Sequence, residues 1–315
     1  MTPSIVVHRP GLLTTVQDLG RWGYQACGVP VAGPMDSYSH RLANLLVHNP
    51  PEAAALEVTL IGPDLEFDAP SYVAVCGAEF DVTLDGHAVP SATSIRVPRG
   101  GRLQFGRRRA GARAYLAVAG GIRTEPVLGS RATHLVSRMG GCEGRAIVAG
   151  DRLPFVASVD PIGGRRAPLM TLPPGGRARL RMLPGPQAEW FTPEARHIVA
   201  SVSFRISPRS NRMGYRLDGP PLARARELEP ISEPLTFGAI QVPAAGSPIL
   251  LMADRQTAGG YPKIGVVIAA DWPIAGQLAP GDSVEFAWCT RREAAAALIA
   301  RERPLLRVTD LEAAR

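Results

Sequence analysis

Residues 56–86, LEVTLIGPDLEFDAPSYVAVCGAEFDVTLDG, decide the fold class of this chain. They contain four short segments that are typical of strands, at 56–60, 64–67, 71–76 and 79–86. In the last segment Phe80, Val82 and Leu84 alternate with polar residues and lead into Asp85-Gly86, a dipeptide that accepts the positive φ of a tight hairpin. Short strands separated by Gly, Pro and Asp turns predict a β-barrel or sandwich rather than alternating strands and helices.

The rest of the chain continues this pattern and adds few helices. Further strands are predicted at 101–105, 114–120, 198–207, 247–252 and 282–286. Apolar residues recur at helical spacing over 36–47, with Asp36 or Ser37 as N-cap and Asn49-Pro50-Pro51 as terminator. The alanine-rich stretch 291–301 also favours a helix. We therefore expect a mainly β protein with a few short helices.

The length of 315 residues suggests two domains at about 150 residues each. A weak internal repeat agrees with this, although so few positions correspond that chance is an alternative. At an offset of 176 the corresponding pairs are Glu57 and Glu233, Gly62 and Gly238, Val73 and Ile249, and Val75 and Leu251; residues 100–105 and 281–286 correspond at 181. The Pro/Gly/Arg-rich stretch 160–176 has no strand or helix period, which places the predicted boundary between domains 1–165 and 166–315.

Composition excludes several classes of function. Of the 35 basic residues, 34 are Arg spread along the chain, and aromatic residues make up only 6%, which argues against nucleic-acid binding. No apolar run reaches the ~18 residues of a membrane helix, and the N-terminus has no signal peptide pattern. The four cysteines form no C-x-x-C pair and the six histidines are dispersed, so we expect no disulfide framework and no metal site. These features favour a cytoplasmic protein.

The first candidate functional segment is residues 11–36, GLLTTVQDLGRWGYQACGVPVAGPMD. It offers the side chains of Thr15, Gln17 and Asp18 among five glycines that let the backbone approach a ligand. The alternative is a turn-rich barrel entrance in which the glycines only serve tight turns, and composition alone favours that alternative.

The second candidate segment, residues 207–220, places Asn211 and Arg212 in a turn that enters a strand. From there the planar guanidinium of Arg212 can reach an anion, although an Arg that caps its own barrel would look the same.

The third candidate segment, residues 250–265, is the most informative. An apolar strand ends in Asp254, Arg255, Gln256 and Thr257, and a Gly-Gly turn then leads to Tyr261 and Lys263. Lys263 is the only lysine in a chain that otherwise uses Arg, which suggests that a compact ammonium is required at this position. The alternative is a surface lysine that drift has not removed. We predict that Asp254, Arg255 and Lys263 converge at one end of the strand.

Familiar cofactor motifs are missing from the chain. There is no phosphate-binding loop, no G-x-G-x-x-G and no G-x-S-x-G. A biotin-accepting lysine lies between methionines, whereas Lys263 lies between Pro262 and Ile264. Biotin is therefore not expected on this chain, and any ATP site is unconventional or lies on a partner.

Several long motifs, in order, carry a specific resemblance. They are residues 11–36, 41–63, 210–220, 232–243 and 253–265. With these motifs the chain resembles the C subunit of bacterial 5-oxoprolinase, a family also described as allophanate hydrolase subunit 2 or biotin-dependent carboxyltransferase. The departures are Pro34, where the family often has Ala, and Pro234, where Gly is common.

The resemblance implies two cyclophilin-like β-barrel domains and a hetero-oligomer with two partners, a homologous B subunit and an A subunit. It implies ATP-dependent opening of the 5-oxo-L-proline lactam to L-glutamate, with ATP and Mg²⁺ bound in the complex. The alternatives are a carboxyltransferase component of the urea carboxylase type and a regulatory protein that binds its B-subunit homologue.

Activation of a lactam carbonyl by phosphorylation needs cations and a carboxylate. We expect catalytic roles for four residues, Lys263, Asp254, Arg255 and Glu233. We expect substrate contacts from eight others, Asn211, Arg212, Gln256, Thr257, Tyr261, Thr15, Gln17 and Asp18.

Overall fold

The computed structural model describes residues 2–157, 165–168 and 170–313. The chain divides into two compact units. The first unit comprises Met1–Arg21, Ala32–Leu172 and Pro304–Arg315, and the second comprises Trp22–Val31 and Pro173–Arg303. The stretch 160–176, predicted to separate the domains, lies partly outside the described residues, at 160–164 and 169.

Nine strands in the described part of the chain build the first unit. They are β1 (Ser4–Arg9), β2 (Leu13–Gln17), β3 (Ala55–Thr59), β4 (Asp64–Phe67), β5 (Ser71–Leu84), β6 (His87–Ala88), β7 (Ile95–Val97), β8 (Arg102–Val118) and β9 (Arg152–Pro154). They form one sheet with the order β2-β3-β8-β4-β1-β9, and β5 pairs with β6, β7 and β8. Apolar side chains from one face of this sheet, among them Phe67, Phe105 and Leu116, form the core.

The second unit is built around a closed barrel. Its strands are β10 (Arg177–Pro184), β11 (Phe204–Ile206), β12 (Gly214–Asp218), β13 (Glu233–Pro234), β14 (Ala239–Gln241), β15 (Ile249–Leu251), β16 (Ala258–Gly259), β17 (Lys263–Val267) and β18 (Ser283–Trp288). Seven of them close the barrel in the order β10-β17-β14-β15-β12-β11-β18, while β13 and β16 form a separate two-stranded ribbon. Phe204, Tyr215 and Phe286 are fully buried.

Four α-helices accompany these strands in the described residues. They are α1 (Ser37–Leu46), α2 (Pro193–Ser201), α3 (Trp272–Gly276) and α4 (Arg291–Ala313). Short 3₁₀ turns lie at Gln25–Cys27, Pro174–Gly176, Ala188–Trp190 and Ala269–Asp271. The predicted mainly β class with few helices is confirmed.

The opening stretch behaves largely as its pattern predicts. Asp85 and Gly86 adopt φ of 52° and 81°, and Leu84 pairs with His87 across the hairpin. The two predicted strands 71–76 and 79–86 form one strand, β5. Between them the chain stays paired with β8, and irregularities of the bulge type that begin at Gly77 shift the register of the pairing. The predicted strands 101–105 and 114–120 are likewise joined, over residues 102–118, in β8.

Helix α1 begins as predicted, and its Asp36 N-cap accepts a hydrogen bond from the Ser39 backbone N–H at 2.9 Å. Helix α4 extends beyond the predicted end at Arg301, because Leu305 and Val308 bury apolar side chains in its continuation.

The predicted strand 198–207 is wrong over its first half, where α2 continues to Ser201. The helix starts at Pro193, which suits the first helical position, and the Thr192 hydroxyl accepts from the Ala195 N–H at 3.1 Å. This start signal outweighs the β-branched residues Ile198 and Val199, and only Phe204–Ile206 remains a strand.

The pairings of the two halves do not repeat one for one. The strand after Gly62, β4, pairs with β1 and β8, whereas the strand after Gly238, β14, pairs with β15 and β17. That the two halves are copies of one duplicated β-barrel therefore stays a prediction.

Candidate functional site

Lys263 is buried in the second unit and is bound to a carboxylate. Only 5% of its side chain is exposed, and its Nζ lies 2.7 Å from Oε1 of Glu233, whose side chain is 32% exposed. Gln187 completes the arrangement: its Nε2 donates to Glu233 Oε1 at 2.6 Å, and its Oε1 accepts from the Lys263 backbone N–H at 3.1 Å. These three residues are called the Lys263 cluster below.

Three separate elements deliver the Lys263 cluster. Lys263 is the first residue of β17, Glu233 lies on the ribbon strand β13 opposite Gly259, and Gln187 directly precedes the 3₁₀ turn Ala188–Trp190. The backbone N–H of Gly185 bonds to the carbonyl of Ile264, which holds the Gln187 loop against β17.

The ammonium of Lys263 sets the charge state of Glu233. Its hydrogen bond is the main cause that keeps the pKa of the Glu233 carboxyl below its ordinary value, and the Gln187 amide adds to this, while burial opposes it. Because the carboxyl stays ionised at neutral pH, Glu233 acts as an acceptor that orients Lys263 rather than as a general acid.

Arg212 and Asp254 form a second ion pair. Arg212 Nε donates to Asp254 Oδ2 at 2.9 Å and its terminal nitrogen to Oδ1 at 3.0 Å, with side chains only 5% and 3% exposed. The pair joins the turn before β12 to the end of β15. Asn211 beside it is exposed, and its side-chain oxygen accepts from the Met213 N–H.

Arg255 is also buried, and it contacts neutral groups. Its Nε donates to the Leu235 carbonyl at 3.3 Å, and its guanidinium lies 6.0 Å from the ring centroid of Phe237. Burial lowers the pKa of Arg255, and the charge of Asp254 opposes that shift. The three residues predicted to converge therefore have different partners. Asp254 pairs with Arg212, Lys263 pairs with Glu233, and Arg255 contacts neutral groups.

The remaining predicted residues of the third segment lie nearer to solvent. Gln256 is exposed, and Tyr261 is 44% exposed. The Thr257 carbonyl accepts from the Leu235 N–H, which places this stretch beside the β13–β16 ribbon and hence beside Glu233.

Thr15, Gln17 and Asp18 belong to the first unit and are buried there. Gln17 Nε2 donates to Thr15 Oγ1 at 3.0 Å and to the Thr133 carbonyl at 3.1 Å. The Asp18 carboxylate accepts from the N–H of Gly20 and Arg131 and from the Ser130 hydroxyl. These contacts fasten loops within the unit, in agreement with the turn-rich alternative for this segment.

Sequence reasoning missed two carboxamides at the site, Gln187 and Gln241. Gln187 reaches Glu233 and Lys263 across 46 and 76 residues, and no motif surrounds it. Gln241 ends β14 and is the cross-strand partner of Lys263. Strand register alone brings these residues together, so no local pattern signals them.

The buried cations of the described site each have a partner within the chain. Lys263 and Arg212 are each engaged by a carboxylate, and Arg255 by a carbonyl. Among the described residues no group of three or more His, Cys, Asp or Glu side chains is placed to hold a metal ion. Within the same residues no helix is long and apolar enough to cross a membrane.

Residues 27–288 match the family described as carboxyltransferase domain, subdomain A and B, and the chain belongs to that family. The chain is 40% identical over 288 residues to the C subunit of 5-oxoprolinase from Escherichia coli (strain K12), covering 91% of this chain and 92% of that protein. The resemblance noted from the motifs is confirmed.

Solved structures share the fold. The crystal structure of TTHA0988 superposes with a TM-score of 0.83 at 39% identity, covering 91% of this chain and 55% of that chain. The urea amidolyase of K. lactis superposes with a TM-score of 0.90 at 32% identity, covering 98% of this chain. The chain spans about half of TTHA0988 and 20% of the K. lactis protein.

Proposed function

We propose that this chain is the C subunit of an ATP-dependent 5-oxoprolinase that opens 5-oxo-L-proline to L-glutamate. The observation that carries the proposal is the 40% identity to the corresponding E. coli 5-oxoprolinase chain over nearly the full length of both proteins. The proposed partners are a homologous B subunit and an A subunit.

The Lys263 cluster supports a chemical role in ring opening. A lactam carbonyl gains negative charge on oxygen when it is attacked or activated, and a fixed ammonium in a water-poor site stabilises such charge. Glu233, which is itself held by Gln187, fixes the Lys263 ammonium in one orientation, so little reorganisation is needed during the reaction. ATP bound within the complex would supply the activation of the carbonyl oxygen.

A second candidate is a carboxyltransferase component that acts on urea or a related amide. The TM-score of 0.90 to the K. lactis urea amidolyase favours it. In that case a separate carrier would bring carboxybiotin, and the same site would bind the amide carbonyl.

The test is to purify the chain together with its native partners. ATP-dependent release of glutamate from 5-oxo-L-proline supports the first function, and carboxylation of urea by a carboxybiotin carrier supports the second. A complex with the B-subunit homologue that catalyses neither reaction would favour the regulatory alternative. Complexes that lack this chain serve as the control.

A further inference from the structure

Gln241, at the end of β14, has a buried carboxamide donor that no described residue uses. Its side chain is buried, with 2% of the residue exposed, and its Nε2 has no hydrogen-bond partner among the described residues. Buried amide donors are almost always paired, because an unmade hydrogen bond destabilises the fold. A donor kept at this cost points to a partner that binds from outside the chain.

The location of the Gln241 amide associates it with the Lys263 cluster. Ile240 pairs with Gly265 but Gln241 pairs with Lys263, so Ile264 is the extra residue of a β-bulge. In a regular register Gln241 would lie opposite the apolar Ile264. The bulge instead places Lys263 opposite Gln241, and directly opposed residues project to the same face of a sheet.

The ribbon strand β16 brings Glu233 into the same neighbourhood. Gly259 is the cross-strand partner of Glu233, and a Cβ built on Gly259 would lie 3.1 Å from Gln241 Nε2. The same point would lie 3.5 Å from Nε2 of Gln256. Because Gly259 has no side chain, nothing from this residue occupies the point next to the Gln241 amide. Glu233 lies directly across the ribbon from Gly259.

We propose that Gln241 Nε2 donates a hydrogen bond to the amide carbonyl oxygen of the substrate beside the Lys263 cluster. This inference rests on the proposed function and names the group that recognises the carbonyl. A neutral amide donor suits a carbonyl oxygen, and its bond strengthens as negative charge develops there, in the manner of an oxyanion hole. Both candidate substrates, a lactam and urea, carry such an oxygen.

The test uses the complete complex with Gln241→Met, which keeps the side-chain length and removes the donor. The control is Gln277→Met, which removes an equally buried carboxamide at the end of α3. We expect Gln241→Met to lower kcat about 10²- to 10³-fold with a much smaller change in KM, because the bond matters most in the transition state. Since the donor has no partner within the described residues, Tm should fall by no more than in the control.

Several outcomes would overturn the proposal. One is a kcat for Gln241→Met within twofold of wild type on the substrate that the complex uses. Another is an equal loss in Gln277→Met, which would indicate a purely structural effect. Glutamate release and urea carboxylation are measured in parallel. The reaction that Gln241→Met slows identifies the substrate whose carbonyl oxygen accepts the hydrogen bond.

A binding measurement separates this inference from the proposed function. Thermal stabilisation of the complex is compared for 5-oxo-L-proline, urea and L-proline, which lacks a ring carbonyl. Stabilisation by an amide compound above that by L-proline, lost in Gln241→Met, supports the inference even if the wild-type complex turns over neither substrate. Stabilisation that persists in the variant, or none by either amide in the wild type, would overturn it.

Discussion

Lys263 differs from every other cationic side chain of this sequence in type, since all the others except histidine are arginines. Its side chain is as enclosed as that of Arg212, but its ammonium contacts one oxygen of Glu233, whereas the Arg212 guanidinium bonds to both oxygens of Asp254. A compact ammonium fits such an enclosure, and a planar guanidinium has a different shape and bonding pattern. The single lysine is therefore best understood as a requirement of this site.

The Lys263→Arg variant should lose turnover while it keeps its charge. The bulkier guanidinium cannot occupy the position of Nζ at 2.7 Å from Glu233 without displacing it, and loss of one well-placed electrostatic group costs about 10²-fold in turnover. The measurement is kcat of the assembled complex together with Tm. Arg209→Lys at an exposed position is the control. Wild-type turnover in Lys263→Arg would mean that the lysine is incidental.

Glu233 should make stability depend on pH in the acid range. Its pKa is lowered from 4.5 by Lys263, so its contribution is present above that value and disappears as the pH falls through the lower folded-state pKa. The difference in Tm between wild type and Glu233→Gln should be largest near neutral pH and vanish in strong acid. The control is Glu285→Gln, which removes an exposed carboxylate outside the Lys263 cluster. A difference that does not change with pH would contradict the ion pair.

At the scale of elements, the Arg212–Asp254 pair fastens two barrel strands to each other. Arg212 precedes β12 and Asp254 follows β15, and the Asp254 N–H also bonds to the Arg212 carbonyl. Both side chains are enclosed, so each neutralises a charge that would otherwise be buried alone. The expected roles of Asp254 in catalysis and of Arg212 in substrate binding stay predictions. Stability measurements test the other role of the pair, which is to brace the two strands.

The Arg212→Ala variant should destabilise the protein by about 3–5 kcal/mol, because it leaves Asp254 buried without its partner. The double variant Arg212→Met, Asp254→Leu should be milder, since no charge is left unpaired. Denaturant unfolding measures both.

A matched control for this pair is Arg109→Ala. Arg109 makes the same two-bond contact with Asp81, but both side chains are about half exposed. Its loss should destabilise the protein far less than the loss of Arg212, because an exposed ion pair is screened by solvent and contributes little to stability. Equal costs at the buried and exposed pairs would contradict the bracing role of Arg212 and Asp254.

Helix α2 depends on its first turn. The Thr192→Ala variant removes the hydroxyl that accepts from the Ala195 N–H and should cost about 1 kcal/mol. Unfolding free energy measures this, and Thr192→Ser, which keeps the acceptor, is the control. Equal stability of Thr192→Ala and Thr192→Ser would show that Pro193 alone starts the helix.

At the scale of the whole molecule, activity should belong to the assembly. The relative with 40% identity is named as one subunit of 5-oxoprolinase, and the buried cations of the described site are engaged by groups of the chain itself. We expect the isolated chain to release no glutamate from 5-oxo-L-proline with ATP, and the chain mixed with both proposed partners to do so. Size-exclusion chromatography checks assembly alongside the assay. ATP-coupled turnover by the chain alone would contradict the proposal.

The sequence by itself determined the features that depend on near neighbours. The alternation at Phe80, Val82 and Leu84 predicted a strand, Asp85-Gly86 a hairpin, and Asp36 a helix cap, because each follows from local backbone preference. The unusual lysine was visible for the same reason: its significance is a matter of residue type in this chain. The family could also be identified from ordered motifs.

Only the tertiary structure decided which of these groups meet. Asp254 pairs with Arg212 rather than with Lys263, and Gln187 joins Glu233 across 46 residues. A one-residue bulge at Ile264 brings Gln241 opposite Lys263. Such contacts depend on the register of strands that are distant in sequence. Because a shift of one residue exchanges the two faces of a strand, local patterns cannot specify them.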